Sequence, residues 1–364
     1  MSDAPAHHIF CLCGPPKEQK AKSKRPELPE VLCVLQVCLE GKLSEKTVKH
    51  ELSHGRRGAG DLIPWTISQE FTQQDFPSLS GARIVRIATH PDYQGKGYGL
   101  LALKLLQDFY EGKFYHSEGT SVNMAPLVYN DIEMEENLEE KLASQTLLPT
   151  LFPSLNELKP DILDYLGVSY GVSEELLRFW KKAQFCPVYL GYTANQLTGE
   201  HSCIMLKQLT GISTSTNWLS SFAVDFCWKT IETILWLKLD ADLALSLISQ
   251  EKVPDEEYRS LSKLEISNLL EHDDLDNLKD FCNIPGFGLP LKENAIILSK
   301  LYFTRRFKDI HLTEIERRAL FSYGILRKQL ETVAESLQCT VQQTTTELLS
   351  GLKKLAVHIV EIST

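Results

Sequence analysis

Three alternate glycines stand in the run Gln94-Gly95-Lys96-Gly97-Tyr98-Gly99. Their spacing is the clearest indication of a ligand-binding site in this chain. Glycine has no Cβ, so alternate glycines let the backbone turn tightly and come close to a ligand. A leucine-rich stretch that ends at Gly112 follows them. Because the first N–H groups of a helix have no partner within it and attract anions, the run predicts a cradle for phosphate or pyrophosphate.

Two other phosphate motifs do not fit these residues. A Gly-x-Gly-x-x-Gly dinucleotide fingerprint that begins at Gly97 would have its third glycine at Ala102, and no acidic residue ends a second strand about 20 residues later. A Gly-x-x-x-x-Gly-Lys-Ser/Thr nucleotide loop is absent from the whole sequence. The β-branched stretch 83–89 precedes the run, and His90-Pro91-Asp92 ends that stretch. The order is therefore strand, glycine turn, helix.

The elements that must position this unit are predicted to form an α/β (α+β) fold, with a mixed sheet and flanking helices. Strands are predicted at residues 8–13, 31–39, 83–89, 164–171, 186–192 and 201–206. The first two strands are expected to pair as a hairpin. Ser44 is expected to cap a short helix that ends near Ser53, and Ser173 to cap a helix over 174–183.

The composition limits the function classes. A net charge of −10 argues against a protein that coats nucleic acid nonspecifically, because such binding needs many phosphate contacts. Nine cysteines without a Cys-x-x-Cys pair predict reduced thiols in an intracellular protein. Cys11-Leu12-Cys13 is interpreted as two thiols on one face of a strand, so no metal site is predicted. No apolar run approaches the ~20 residues of a membrane span.

Several segments resemble a known family. The glycine run after its strand is similar to the acetyl-CoA loop of the GNAT superfamily of N-acetyltransferases. Within that superfamily the chain resembles the RNA cytidine acetyltransferases from residue 2 to about residue 210, and more weakly to its C-terminus. The segments that carry the resemblance are SDAPAHHIFCL, LPEVLCVLQVCLEG, GDLIPWTIS, RIATHPDYQGKGYG, LDYLGVSYGVSEELLRFWKKAQFCPVYL and LTGEHSCIMLK.

The resemblance implies an enzyme that uses acetyl-CoA to form N4-acetylcytidine in rRNA or tRNA, in the nucleus and nucleolus of eukaryotes. It implies that backbone N–H groups at Ile87, Ala88 and Thr89 meet the acetyl carbonyl and the pantetheine. It also implies that the pyrophosphate is held by Gln94, Gly95, Lys96, Gly97, Tyr98, Gly99 and Leu100. Lys182 occupies the position of a family arginine that touches the cofactor, and lysine keeps the charge but lacks the planar fork.

Acetylation of cytidine also needs proton transfers. The exocyclic amine is a poor nucleophile because its lone pair is delocalised into the ring, so a base must remove a proton as the C–N bond forms. His7 and His8 are the candidate bases, and His90 and His201 are further candidates, the latter with Glu200 as a partner for its ring. Tyr170 or Tyr98 could protonate the departing thiolate. Arg86 is either structural or a contact to an RNA phosphate.

The sequence predicts two domains, an acetyltransferase domain at 1–212 with an insertion at 114–160 and a helical, RNA-binding domain at 213–364. The insertion contains the acidic run 131–140, to which we assign no chemistry. In the second domain, residues 263–278 predict one amphipathic helix, and residues 330–355 a helix-turn-helix with its turn at Cys339-Thr340.

Basic pairs recur in the second domain, and they are interpreted either as RNA contacts or as solvated charges of an ordinary bundle. They are Arg305-Arg306 with Lys308, Arg317-Arg318, Arg327-Lys328 and Lys353-Lys354.

Family members carry an N-terminal helicase-like module that uses ATP, and we expect this upstream structure to be missing from the chain. An adaptor protein for tRNA is a further expected partner, no membrane is expected, and the oligomeric state is left open. Two other functions remain open, a protein lysine N-acetyltransferase and a catalytically silent RNA-binding scaffold in ribosome biogenesis.

Overall fold

The computed structural model describes most of the chain. The described residues are 7–15, 29–58, 60–71, 76–114, 153–210, 218–249, 258–284, 286, 288, 292–307 and 309–363. Most of the predicted insertion, with its acidic run at 131–140, and Lys308 lie outside the described residues.

A six-stranded mixed sheet forms the first part of the structure, as the hydrophobic pattern predicts. Its strands are β1 (His7–Cys13), β2 (Val31–Gly41), β3 (Ser80–Thr89), β4 (Tyr165–Gly171), β5 (Cys186–Ala194) and β6 (His201–Gln208). Their order in the sheet is β1-β2-β3-β4-β6-β5. The predicted hairpin of β1 and β2 is confirmed. Only β3 and β4 pair in parallel, and every other neighbouring pair is antiparallel.

Helices cover both faces of this sheet. They are α1 (Glu45–Ser53), α2 (Leu62–Phe71), α3 (Tyr98–Tyr110) and α4 (Glu174–Lys182). We call the side on which α3 packs the α3 face; it holds Leu35, Ile84 and Val168 of the sheet. The opposite side, on which α2 packs, is the α2 face; it holds Tyr165 and Ile204.

Helix α2 was not predicted, because its residues are buried on nearly every side. Ile63, Pro64, Trp65, Thr66, Ile67, Ser68 and Phe71 are all buried. Such a helix has no polar stripe, so the 3.6-residue alternation that identifies a surface helix is missing.

The second part is helical. Its helices are α5 (Trp218–Leu237), α6 (Ala241–Ile248), α7 (Lys263–Leu269), α8 (His272–Asn283), α9 (Lys292–Phe303), α10 (Glu314–Leu320), α11 (Leu330–Leu337) and α12 (Val341–Ser363). Helix α5 connects the two parts, because Phe222 packs in the α2-face core, Phe226 in the α3-face core and Ile231 in the core of the helical part.

One local prediction is wrong and two are confirmed. Residues 263–278 do not form one helix, because Leu270 is extended (φ −125°) and Glu271 begins α8 with a capping box to Asp274. Ser44 is at the N-cap position of α1, which ends at Ser53 as predicted, although its side chain makes no cap hydrogen bond. The predicted helix-turn-helix is present as α11 and α12, with Gln338 in the left-handed conformation at the turn (φ 55°).

A buried ion pair ties α2 to the sheet. The Glu40 carboxylate on β2 has no exposed side-chain surface, and it forms an ion pair with Arg83 on β3. Its second oxygen accepts a hydrogen bond from the backbone N–H of Ile63 in the first turn of α2 (3.1 Å). One side chain therefore joins β2, β3 and the start of α2.

Replacing Glu40 with Gln should destabilise the protein, because it leaves the Arg83 guanidinium without its counter-charge in a largely buried place. We expect the free energy of unfolding to fall by ~3 kcal/mol, measured by urea denaturation. Glu45→Gln, on the surface of α1, is the control and should change it by less than about 0.5 kcal/mol. Equal stability of Glu40→Gln and the parent would show that the pair does not anchor α2.

Candidate active site

A gap opens in the middle of the sheet. β3 and β4 pair only from Gly81–Tyr165 to Ile84–Val168. Beyond that point β3 continues to Thr89 beside β2, and β4 continues to Gly171 beside β6. The edges of β3 and β4 that face each other there no longer share ladder hydrogen bonds. Backbone N–H groups in this part are therefore available to a ligand.

A β-bulge in β3 lies where the strands diverge. Gln36 of β2 pairs with Arg86, but the next residue, Val37, pairs with Ile84, so Val85 is an extra residue in β3. A bulge bends its strand and increases the local twist, which turns the end of β3 away from β4. The predicted oxyanion residues, Ile87, Ala88 and Thr89, all lie in this diverging end.

The glycine run forms an open turn between β3 and α3. Gly95 (φ 72°) and Gly97 (φ 88°) both have positive φ, and a Cβ at either position would meet no atom within 4 Å. Gly97 is the N-cap of α3, and its carbonyl accepts the bond from Leu101 N–H (3.0 Å). The N–H groups of Tyr98, Gly99 and Leu100 precede that bond, at the open end of the helix.

Side chains of the run brace the turn. Gln94 Nε2 donates to the carbonyl of Thr89 (3.3 Å), and Lys96 Nζ donates to the carbonyl of Asp92 (2.8 Å). The Lys96 ammonium also lies 5.2 Å from the centre of the Tyr93 ring. These contacts hold a positive charge beside the cradle, which favours an anion there.

Helix α4 closes the other side of the cradle. A Cβ at Gly99 would lie 3.4 Å from the Phe179 ring and from Thr89 Oγ1, so α4 and the end of β3 both approach the start of α3. Ser173 caps α4 as predicted, through a bond from Leu176 N–H (3.4 Å). Lys182, three residues after Phe179, is on the same side of α4 and is exposed.

The two candidate bases lie on opposite sides of β1. His8 pairs with Val37 of the α3-face core, and it lines a cavity of 640 Å³ with Phe10 and Phe109. His7 pairs with Cys38, which shares the α2 face with Glu40 because β2 alternates. His7 is exposed, and its Nδ1 lies 2.6 Å from the amide nitrogen of Gln36, whose partner on β3 is Arg86.

Tyr170 lies inside the α3-face core at the end of β4. Its hydroxyl donates to Met205 Sδ (3.0 Å), and burial raises the pKa of Tyr170 well above the usual tyrosine value. Such a hydroxyl holds its proton tightly, which weakens it as an acid. Tyr98 is in the first turn of α3, beside the cradle, with its ring 5.7 Å from that of Tyr93.

The other two histidines have local partners. His90 caps a short 3₁₀ turn at Pro91–Tyr93 by accepting a bond from Asp92 N–H (3.3 Å). His201 is buried, with Nδ1 2.8 Å from the carbonyl of Gly191 and Nε2 3.1 Å from that of Leu237. The expected Glu200–His201 contact is therefore wrong, because backbone carbonyls hold both sides of the ring.

The Glu200 carboxylate lies against Gly171 and not against His201. A Cβ at Gly171 would lie only 2.2 Å from Glu200 Oε2. The glycine at the end of β4 is the sequence feature related to this contact, because only a residue without Cβ leaves room for the carboxylate.

Most of the basic pairs in the helical part already have acidic partners. The ion pairs are Arg306–Glu265 (2.9 Å), Arg317–Glu314 (3.2 Å), Arg318–Asp242 and Lys354–Glu316 (2.7 Å). These contacts partly neutralise the charges that the sequence offered for RNA contacts. Arg327 and Lys353 are exposed.

Within the part of the chain that the structure describes, no cluster of three or more His, Cys, Asp or Glu side chains is arranged to hold a metal ion. None of the helices in that part is both long and apolar enough to cross a bilayer.

The chain is similar to two known protein families, one over each part of its fold. Residues 1–210 match the family GNAT acetyltransferase 2, and residues 218–364 match a family described as a possible tRNA binding domain. The chain belongs to the GNAT acetyltransferase 2 family. The resemblance drawn from the glycine run and the six segments is thereby confirmed.

Relatives named RNA cytidine acetyltransferase are similar to this chain. The human protein is 40% identical over 345 residues, which cover 93% of this chain and 33% of the relative. The Saccharomyces cerevisiae protein is 38% identical over 381 residues, 98% of this chain and 35% of the relative. The Achlya ambisexualis protein is 43% identical over 231 residues, 62% of this chain and 61% of the relative. The chain thus spans about a third of the human and yeast proteins.

Gly97→Glu should abolish acetyl-CoA binding, because it places a carboxylate and a Cβ in the cradle at a positive φ. Gly112→Glu is the matched control. Gly112 also has a positive φ (75°) and open space around its Cβ position, but it follows the far end of α3. Isothermal titration calorimetry should show saturable binding by the parent and by Gly112→Glu. Equal affinity of Gly97→Glu and the parent would contradict the cradle.

Proposed function

We propose that this chain is an acetyltransferase that moves the acetyl group of acetyl-CoA to the 4-amino group of cytidine in rRNA or tRNA. The observation that carries the proposal is the pairing of two features on adjacent elements, the gap between β3 and β4 and the glycine cradle that follows β3. The substrate is taken from the relatives, which are named RNA cytidine acetyltransferase. Because the chain covers only part of those proteins, its own activity requires a test.

The residues of the chain fit acetyl-CoA. The open glycine turn and the first N–H groups of α3 suit a pyrophosphate, and Lys96 and Lys182 add positive charge nearby. Alternate N–H groups of β3 bond to β2, as that of His90 does to Leu32, so the gap offers the backbone N–H groups of Ile87 and Thr89 for the acetyl carbonyl. When bound, acetyl-CoA supplies an activated acetyl group as a thioester.

The two faces of the sheet would then have different tasks. The cradle lies on the α3 face, because α3 packs there, so a pantetheine chain that runs from the cradle into the gap enters from that face. An acceptor must approach the acetyl group from the α2 face. His7, Gln36 and Arg86 lie on that face, whereas His8 does not. We therefore favour His7 over His8 as the base.

The transfer removes one proton from the 4-amino group and replaces the C–S bond of the thioester with a C–N bond. As the C–N bond forms, His7 takes the proton that the 4-amino group loses. The N–H groups of β3 stabilise the negative charge that grows on the carbonyl oxygen, an effect of ~3 kcal/mol for one well-placed donor. The C–S bond then breaks with its electron pair on sulfur. Neither tyrosine is well placed to protonate that sulfur, because the Tyr170 hydroxyl is bonded to Met205 and Tyr98 lies at the pyrophosphate end of the pantetheine chain, so water supplies the proton.

RNA is the proposed partner, through the helical part that resembles a tRNA-binding family. The cations best suited to phosphate are Arg327 and Lys353, because they are exposed and form no ion pair within the described residues. We further propose that the protein acts in the nucleus and nucleolus, as the resemblance implies. An adaptor protein for tRNA and a second copy of this chain are further candidate partners.

The test is transfer of radiolabelled acetyl groups from acetyl-CoA to total RNA, with detection of N4-acetylcytidine after nuclease digestion. Lysine-containing peptides serve as the competing acceptor. We expect label in cytidine and none in peptide. Label in peptide alone would favour a protein lysine acetyltransferase.

The two neighbouring histidines give a matched pair of variants. His7→Ala should lower kcat by about 10²- to 10⁴-fold, the usual contribution of a general base. His8→Ala should lower it much less, because that ring lies on the α3 face. The opposite order would show that the acceptor approaches from the α3 face.

A further inference from the structure

The turn before β6 presents a carboxylate at the open end of the gap. Asn195 Oδ1 accepts bonds from Leu197 N–H (2.8 Å) and Thr198 N–H (3.2 Å), and Asn195 N–H donates to the carbonyl of Glu200 (2.8 Å). Gly199 adopts a positive φ of 73° within this turn. The backbone of Glu200 is thus fixed before any ligand arrives, which lowers the entropic cost of binding.

The carboxylate lies on the α2 face. Residues of β4 alternate, and the Cβ position of Gly167 points at Ile63 of α2, 2.4 Å from its Cδ1. Gly171 is four residues later and therefore shares that face. Because Glu200 Oε2 is 2.2 Å from the Cβ position of Gly171, the carboxylate rests directly on the backbone of β4. Gly171 is three residues beyond Val168, where pairing with β3 ends.

The Glu200 carboxylate can accept further hydrogen bonds. Glu200 is exposed, and within the described residues no cation or N–H group is recorded on its side-chain oxygens. Facing it across the gap, β3 presents Arg86 and Ala88. His7 lies two strands farther away, on β1, where its Nδ1 contacts the side-chain amide of Gln36. On the α2 face, the β4 side of the gap thus carries a hydrogen-bond acceptor.

We infer that Glu200 accepts a hydrogen bond from the 4-amino group of the target cytosine and selects cytidine over uridine. This inference rests on the proposed function. The amine has two hydrogens, of which the reaction removes one. Glu200 holds the hydrogen that remains in the product, and this bond orients the nitrogen toward the acetyl group.

Base chemistry explains the selection. Cytosine carries an amine donor at position 4, and a carboxylate is a suitable acceptor for it. Uracil carries a carbonyl oxygen there, so the same carboxylate would face a lone pair and lose its hydrogen bond. A site built to bond a donor rejects the analogue that lacks it, because its polar group is left unpaired.

The test uses the full chain with short hairpin oligoribonucleotides that carry one unpaired cytidine or, as inhibitors, one unpaired uridine. Glu200→Leu removes the acceptor, and Glu200→Gln keeps an acceptor oxygen without the charge. Glu335→Gln, an exposed carboxylate on α11, is the control. Acetyl-CoA binding is measured beside acetylation for every variant.

Glu200→Leu should bind acetyl-CoA like the parent, but kcat/KM for cytidine should fall by about 10- to 100-fold, the range for loss of one specific base contact. Glu200→Gln should lose less. The parent should bind the cytidine hairpin more tightly than the uridine hairpin. This preference should fall in Glu200→Leu and stay unchanged in Glu335→Gln. A merely structural role would leave that preference unchanged.

Gly171→Ala provides an independent variant, because its Cβ would displace the carboxylate while Glu200 remains. We expect the same loss of preference, and little further loss when Gly171→Ala is added to Glu200→Leu. Parental kcat/KM and parental preference in Glu200→Leu would overturn the inference. A parent that binds acetyl-CoA but acetylates no RNA would instead overturn the proposed function, and this inference with it.

Discussion

The loss of hydrogen bonds between β3 and β4 beyond Ile84 and Val168 is the constraint on which the rest of the structure depends. Unpaired backbone groups in the middle of a sheet are costly unless water or a ligand satisfies them. The extra residue Val85 makes the divergence a fixed property of β3 rather than a fluctuation. Under the proposed function, the gap would therefore be formed before acetyl-CoA binds, and its N–H groups would need no rearrangement when charge develops.

The surrounding elements keep the gap open at one end and closed at the other. At the closed end, Glu40 joins Arg83 to the start of α2, and the Tyr165 ring packs on Gly81, whose Cβ position lies 2.1 Å from the ring. At the open end, α3 and α4 meet through Gly99 and Phe179. Two cavities, one of 640 Å³ beside β1 and one of 560 Å³ between α4, α6 and α10, lie elsewhere. Under the proposed function, the RNA base reaches the open end of the gap from outside.

The sequence predicts the strand, glycine turn and helix because their signals are local. They are β-branched residues, alternate glycines and a leucine-rich stretch. It cannot predict which side of β1 each histidine faces, because that depends on the register with β2. The Glu200–Gly171 contact was also out of reach, since it joins a turn and a strand end from different parts of the chain. The acidic partners of the basic pairs could not be predicted for the same reason, because Arg318 and its partner Asp242 lie 76 residues apart in the sequence.

Hydrogen–deuterium exchange with and without acetyl-CoA tests the central claim most directly. If the gap and the cradle hold the ligand, exchange should slow at the amides of Ile87 and Thr89 and of Tyr98 to Leu100, and remain unchanged along α12. Protection confined to the cavity between α4, α6 and α10, or no protection at the end of β3 under saturating acetyl-CoA, would contradict the account.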